Sequence, residues 1–338
     1  MAAKRRIAVI GVGYIGERHL VGMAADGRAE VVAIADVKPD LLVERQRAFG
    51  VPRIYADYHE LLEKEELDGV VVATPDELHR GPAVAVAAMG KPLFLEKPIA
   101  TTTADAEAIV RAVEQSGKPC LINFGLRLHK PYAMAKARFA AGEMGVPVTA
   151  YAKRVCDLDE AWRLHGRCTV NEYLGVHDID YLIHVFGRDV KSIYSVKSEF
   201  RVYEKLKTAD HYWNVITWKN GASATVLASW AGPLGAQVVV DNEVLIFGTH
   251  GSVQVAERWA KQEGAESWTV NRFATETGYE EPLTSGWDSM DSHFLDVIQG
   301  LAEPVATVYD GLNATRLVIA GEESARTGQA VDVELVDK

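Results

Sequence analysis

Along the first third of the chain, short unbroken apolar runs alternate with longer stretches of helical spacing. The runs are RIAVIGVG, EVVAIAD, a weaker one near Ile54, DGVVVATP, KPLFLEKP and KPCLINFG. Between them lie YIGERHLVGMAADG, LLVERQRAFG, YHELLEKEEL, DELHRGPAVAVAAMG and TTTADAEAIVRAVEQSG. A strand apolar on both sides is buried on both sides, so the pattern predicts a parallel sheet covered by helices on either face. The series predicts one doubly wound domain over residues 1–122.

The pattern then changes, and residues 123–338 are predicted to form a second domain. Helical stretches KPYAMAKARFAAGEMG and VNEYLGVHDIDYLIHVFG flank the strand-like VPVTAYAKRV. From about residue 190 to 275 the chain is strand-rich. YWNVITWKNGASATVLASW carries a hairpin signal at Asn220-Gly221, and NEVLIFGTHGSVQV offers two strands around a turn. Helices return at SMDSHFLDVIQG and DGLNATRLVIAGEESARTG. The expected second domain is a mainly antiparallel sheet with helices on one face.

Length agrees with two domains, because 338 residues exceed what one core of roughly 250–300 residues usually serves. A formal net charge of −11 argues against nucleic acid or an anionic membrane surface as partner, since both need a basic face. Cys120, Cys156 and Cys168 show neither metal-type nor disulfide-type spacing, as expected in a reducing cytoplasm. The basic start and apolar run of MAAKRRIAVIGVGYIG mimic a signal peptide briefly, but glycines and Glu17-Arg18-His19 break the run. No stretch approaches the ~18–20 apolar residues of a membrane span. The expectation is a soluble, cytoplasmic protein.

Chemistry enters with GVGYIG, directly after a strand and at the start of a helix. Gly11 permits the tight turn, Gly13 lets a pyrophosphate approach the backbone, and Gly16 lets the helix close on the strand. Gly11, Gly13, Tyr14, Ile15 and Gly16 are therefore candidate dinucleotide contacts. The second strand ends in Asp36, about 20 residues on, where a carboxylate accepts ribose hydroxyls and repels a 2′-phosphate. NAD is expected rather than NADP.

Ligands of open parallel sheets sit beyond the carboxyl ends of the strands. Thr74 and Pro75 form a turn after the fourth strand, followed by His79, either a cofactor contact or an exposed helix residue. Glu96-Lys97-Pro98 follows the fifth. Pro98 restricts Lys97 to an extended conformation, which holds the lysine in one direction. Further along, Gly175, Ile179, Leu182 and Phe186 make an apolar stripe at helical spacing, and Tyr173, His177, Asp180 and His184 recur on the other side. Tyr, His and Asp together are the residue types of a reaction site, with a polar face or a satisfied core histidine as the plainer alternative. No further ligand cluster accompanies His177, Asp180 and His184, so no metal is expected.

GVGYIG, Asp36, ATPDELH, EKP and the His-x-x-Asp helix resemble the glucose-fructose oxidoreductase, inositol dehydrogenase and rhizopine-catabolism (Gfo/Idh/MocA) family, as do FAAGEMGVP, EVLIFGTHGSVQV and ARTGQAVDV. The resemblance spans nearly the whole chain. It implies an α/β architecture, with an N-terminal Rossmann sheet and a C-terminal α+β domain whose open, mainly antiparallel sheet builds homodimers or homotetramers. It also implies NAD(P)-dependent hydride transfer to or from a secondary alcohol of a sugar, inositol or related polyol. By position, Lys97 would be the catalytic lysine and His177 the acid/base. Glu96 would contact the nicotinamide-side ribose, Asp180 a substrate hydroxyl, and Arg127 would wall the substrate pocket. The family often carries aspartate where this chain has Tyr173, which would bond to substrate or narrow the pocket.

A small-molecule polyol or sugar is thus the expected partner, with Trp162, Arg163 and His165 as further cleft candidates; the arginines raise the option of an acidic sugar. Two other readings stay open. One is a dinucleotide-binding sensor without turnover, the other a glycosidase that oxidises its substrate transiently with NAD.

Overall fold

The computed structural model describes residues 3–232, 238–260, 268–275, 278–281 and 289–338. The chain divides into two units, residues 1–128 with 288–312 and residues 129–287 with 313–338.

The first unit opens with β1 (Arg5–Ile10), α1 (Tyr14–Ala25), β2 (Ala29–Ala35), α2 (Pro39–Phe49) and β3 (Arg53–Tyr55). It continues through α3 (Tyr58–Lys64), β4 (Gly69–Val72), α4 (Arg80–Ala88), β5 (Leu93–Leu95), α5 (Thr103–Ser116) and β6 (Cys120–Ile122). The strands form one sheet in the order β3-β2-β1-β4-β5-β6, every pair parallel. The order reverses between β1 and β4, which puts the ligand crevice of such a sheet at their carboxyl ends. Val9, Val71, Phe94 and Leu121 lie in register across four strands, all completely buried. Cys120 is a buried free thiol in this sheet.

The second unit follows with α6 (Lys130–Ala140), β7 (Pro147–Asp157), α7 (Leu158–Leu164), α8 (Val176–Phe186), β8 (Val190–Ser198), α9 (Arg201–Leu206), β9 (His211–Trp218) and β10 (Ser223–Gly232). Then come β11 (Val238–Gly248), β12 (Gly251–Ala260), β13 (Trp268–Thr275) and β14 (Gly278–Glu280). The chain next supplies α10 (Met290–Ile298) to the first unit. It ends in α11 (Val308–Thr327), counted with the first unit to Leu312 and with the second from Asn313, and β15 (Val331–Asp332). Nine strands make one sheet in the order β14-β13-β12-β11-β7-β10-β9-β8-β15. Among the described residues only the β7–β10 pair of this sheet is parallel.

The β9–β10 hairpin turns at Asn220-Gly221, with Gly221 at φ +91° and the Asn220 side chain accepting from Ala222 N at 3.0 Å. Ile216, Trp218, Ala224, Val226, Val244 and Ile246 point to the buried face at alternate positions, and α8 lies against β7 and β10 there. Gly175 makes that approach possible. A Cβ on it would lie 2.4 Å from Asn171 Oδ1 and 3.3 Å from the Ala228 Cβ.

The structural division runs differently from a single cut after residue 122. The chain stays with the first unit to Leu128 and returns to it at 288–312. Burial explains the return, because Met290, Phe294 and Leu295 of α10 complete the core cluster that contains Phe94 and Leu121. Such a long-range partnership leaves no periodic trace in sequence. The apolar pattern also gives no sign of α7 and α9, both less than two turns long.

Candidate functional site

In the first unit the glycine loop has the shape a pyrophosphate needs. Gly11 has φ +86°, and a Cβ there would lie 2.6 Å from backbone atoms of Ala73 and Thr74. At Gly16 a Cβ would come within 2.0 Å of Gly11 O, so helix and strand close only over glycine. Gly13 differs, since a Cβ there meets nothing within 4 Å. The space it leaves is open, at an N-cap that has no side chain of its own to occupy the N-terminus of α1. Tyr14 is exposed and Ile15 half-buried at this end. Asp36 Oδ2 accepts from Val12 N at 3.0 Å and Oδ1 from Lys38 N at 3.0 Å, so the acid also holds the loop. Thr74 Oγ1 is buried without a hydrogen-bond partner among the described residues. These features fit NAD, with the loop and helix N-terminus for the pyrophosphate and Asp36 for the adenosine ribose.

After β5, Glu96 is almost fully buried, and its two oxygens are used differently. Oε1 accepts from His19 Nε2 at 2.9 Å and Asn123 Nδ2 at 2.5 Å, while Oε2 accepts from Lys97 N at 3.2 Å. The other His19 nitrogen, Nδ1, donates to Asp291 Oδ1 at 2.7 Å. Burial, the largest single influence on His19, disfavours its charge. The hydrogen bonds and charges of Asp291 and Glu96 together outweigh it and hold the imidazolium up to about 10. Burial likewise opposes ionisation of Glu96, yet His19, Lys97 and Asn123 bring the carboxyl below its ordinary value. Lys97 is half-buried, and the Lys97–Pro98 peptide is cis.

Other candidates of this unit are held inside the protein. His79 is fully buried, with its ring nitrogens 2.8 Å from Pro98 O and 2.9 Å from Thr74 O. The ring ties two strand-end loops together and is neither an exposed helix residue nor a ring reaching outward. Arg127 donates to Val305 O at 2.9 Å and pairs with Asp310 at 3.2 Å, its side chain 4% exposed. It anchors the returning segment.

In the second unit the expected α-helical stripe begins on a different turn. Asn171–Gly175 is π-helical, so Tyr173 does not bear on His177 as i, i+4 α-helical spacing implies. His177 is half-buried and Asp180 is 1% exposed. The half-buried Tyr173 hydroxyl donates to Glu160 Oε2 at 3.1 Å and accepts from Arg163 Nη2 at 2.8 Å. Burial and Glu160 push its phenol well above the ordinary value. Arg163 Nη2 also donates to Glu160 at 2.6 Å. Trp162 packs on the cluster containing Cys156, Leu158 and Trp230, and the Lys205 ammonium lies 5.0 Å above its ring. His165 is exposed, at φ +53°.

Behind α8, Asp178 receives a two-pronged bond from Arg154, Nε to Oδ2 at 2.8 Å and Nη2 to Oδ1 at 3.1 Å. Burial pushes Asp178 up despite Arg154, and Glu257 adds to the push. Among the described residues no group of three or more His, Cys, Asp or Glu side chains is arranged to hold a metal. None of their helices is long and apolar enough to cross a membrane.

Residues 5–124 match the family model described as oxidoreductase family, NAD-binding Rossmann fold, and residues 132–254 match the GFO/IDH/MocA C-terminal domain. The chain belongs to the Gfo/Idh/MocA family. It is accordingly an NAD-binding dehydrogenase acting on CH–OH groups. Relatives within the Gfo/Idh/MocA family include D-apiose dehydrogenase of Paraburkholderia graminis, 25% identical over 98% of this chain and 90% of that protein. Another is scyllo-inositol 2-dehydrogenase (NAD(+)) of Bacillus subtilis, 24% identical over 98% and 96%. The crystal structure of an oxidoreductase from Agrobacterium radiobacter in complex with NAD+, L-tartaric acid and magnesium superposes with a TM-score of 0.82, at 24% identity and 98% coverage of both chains.

Three residues of this Gfo/Idh/MocA protein escape the sequence reading: His19, Asn123 and Asp291. A faint signal exists for His19, which follows Gly16 by one helical turn and so faces the sheet. Asp291 carries none, because 272 positions separate it from its partner.

Proposed function

We propose that the protein oxidises a secondary alcohol of a sugar, inositol or related polyol, using NAD+. NAD+ supplies the hydride acceptor. The chain supplies the remaining chemistry: Lys97 orients and polarises the hydroxyl oxygen, His177 takes its proton, Asp180 and Tyr173 contact neighbouring hydroxyls, and Trp162 lines the pocket. Glu96 accepts from the nicotinamide-side ribose. A placed base contributes typically about 10²–10⁴-fold, and imidazole is the side chain whose ordinary titration lies nearest neutrality.

The observation that carries this reading is the Glu96-Lys97 pair at the carboxyl end of β5, its acid fixed by three donors. The apiose and inositol dehydrogenases among the relatives support that substrate class. A neutral polyol is favoured over an acidic sugar, because Glu160 already matches the charge of Arg163. A homodimer or homotetramer through the sheet of the second unit is part of the proposal; Tyr194, Val196 and Phe247 are 41–45% exposed there.

The test is incubation with NAD+ and a panel of polyols, neutral and acidic sugars, and aryl glycosides. NADH formed with a neutral polyol or sugar is the expected result. Aglycone release without net NADH, or dinucleotide binding without turnover across the panel, would overturn it.

A further inference from the structure

We infer that His19, clamped between Asp291 and Glu96, is a positioning residue that fixes both the charge and the orientation of the Glu96 carboxylate, a role that rests on the dinucleotide site proposed above. The geometry divides the work of the two carboxylate oxygens. Oε1 is filled by His19 Nε2 and Asn123 Nδ2, whereas Oε2 receives Lys97 N at 3.2 Å and keeps acceptor capacity. A ribose hydroxyl is therefore met by one defined oxygen.

Charge follows from the same contacts. Glu96 and Asp291 approach opposite sides of one ring, and without an imidazolium between them a buried carboxylate would face a half-buried one. One acid would then stay protonated to a higher pH. The charged groups facing Glu96 are His19 from α1 and Lys97 beside it, with Asp291 of α10 beyond the ring; Asn123 adds a neutral donor.

The clamp is built into the packing. Phe94 meets the His19 ring edge-on at 4.8 Å. Gly22 leaves the room Asp291 needs, since a Cβ there would sit 2.1 Å from Asp291 Oδ2. Glycine at position 22 of an exposed-to-buried helix boundary is thus a requirement of the acid opposite.

Calorimetric titration of the whole protein with NAD+ between pH 6 and 9 tests this. Wild-type affinity should be nearly flat, because Glu96 is ionised throughout. His19→Gln should bind at least about tenfold more weakly at pH 6 and recover toward pH 9, as a Glu96 deprived of its cation ionises. Gly22→Ala should show the same trend, smaller. Glu96→Gln should be weak at every pH, and adding His19→Gln should change it little.

A readout without cofactor is the ¹⁵N spectrum of histidine-labelled protein, with His19 assigned from its absence in His19→Gln. The ring should remain an imidazolium up to about 10 in the wild type and titrate lower in Asp291→Asn. Unchanged affinity in His19→Gln, an equal loss at all pH values, or a His19 ring that is neutral at pH 7 would overturn the inference. Should His19→Gln not fold, Gly22→Ala and Asp291→Asn still decide, the His19 ring being identified as the resonance that Asp291→Asn shifts. Wild-type protein that binds no NAD+ would instead sink the dinucleotide site itself.

Discussion

Glu96 and Asp178 are both buried carboxylates, and each adjoins a residue given a chemical role, Lys97 and His177. Their surroundings push them in opposite directions. Burial is the largest influence on each and disfavours the charge. Glu96 nevertheless falls below its ordinary value, because His19, Lys97 and Asn123 all favour the anion. Asp178 has the Arg154 guanidinium alone against burial and a nearby Glu257, and it ends above its ordinary value. The lesson is that one well-made ion pair does not offset desolvation, whereas several donors do. Function differs accordingly. On the proposed reading the ionised Glu96 would itself face the ligand, whereas Asp178 pins α8 to β7 through Arg154.

Four sets of variants test the contrast between these two regions. Lys97→Ala and His177→Ala should each reduce kcat by about 10²–10⁴-fold while NAD+ affinity is retained, measured by steady-state kinetics and calorimetry. Full turnover in both variants would remove the chemical roles that make the two regions comparable.

Arg154→Met should destabilise the second unit by about 3–5 kcal/mol in chemical denaturation, because it strands a buried carboxylate. The double variant Arg154→Met/Asp178→Leu should recover most of that loss. A single variant as stable as the wild type would show that Asp178 is already neutral.

A third carboxyl extends the series. Glu322, beside Glu172 and bonded by Thr169, is pushed from 4.5 to about 8, by burial first and by Glu172 second. A folded-state value above the unfolded one means the folded protein holds an extra proton between them. Stability from this site is therefore complete below about 4.5 and is lost as pH rises through about 8. Glu322→Gln should flatten that slope and be more stable than the wild type by about 1–3 kcal/mol at pH 9, read from denaturation midpoints.

Tyr173→Phe should have the smallest effect, a loss of about 0.5–1.5 kcal/mol and a rise of a few-fold in KM for the polyol. A collapse of kcat instead would promote the phenol from pocket wall to participant.

Much of the first unit is legible in sequence because its signals are local. GVGYIG, Asp36 and the apolar runs declare strand, loop and helix within a few residues of one another. The second unit is readable as a sheet through alternation, yet its π turn is hidden, because Asn171–Gly175 has the same composition as an α-helical turn. Arg127 and His79 show a different limit. Residue type marks them as able to contact ligands, but Asp310, Val305, Pro98 and Thr74, which engage them, are distant or backbone groups. His19 is the reverse case. It looks like an incidental helix residue until Asp291 arrives from the far end of the chain.

That late arrival bears on how the protein is born. Translation at about 5–20 residues per second delivers residues 1–128 roughly 10–30 s before α10 leaves the ribosome. Throughout that interval the nascent sheet lacks Met290, Phe294 and Leu295 over its core, and the two acids around His19 have not met. The nucleotide-binding half is therefore the first to be made and among the last to be finished. A fragment cut at residue 128 should behave as a sticky intermediate that co-expressed 288–312 can rescue.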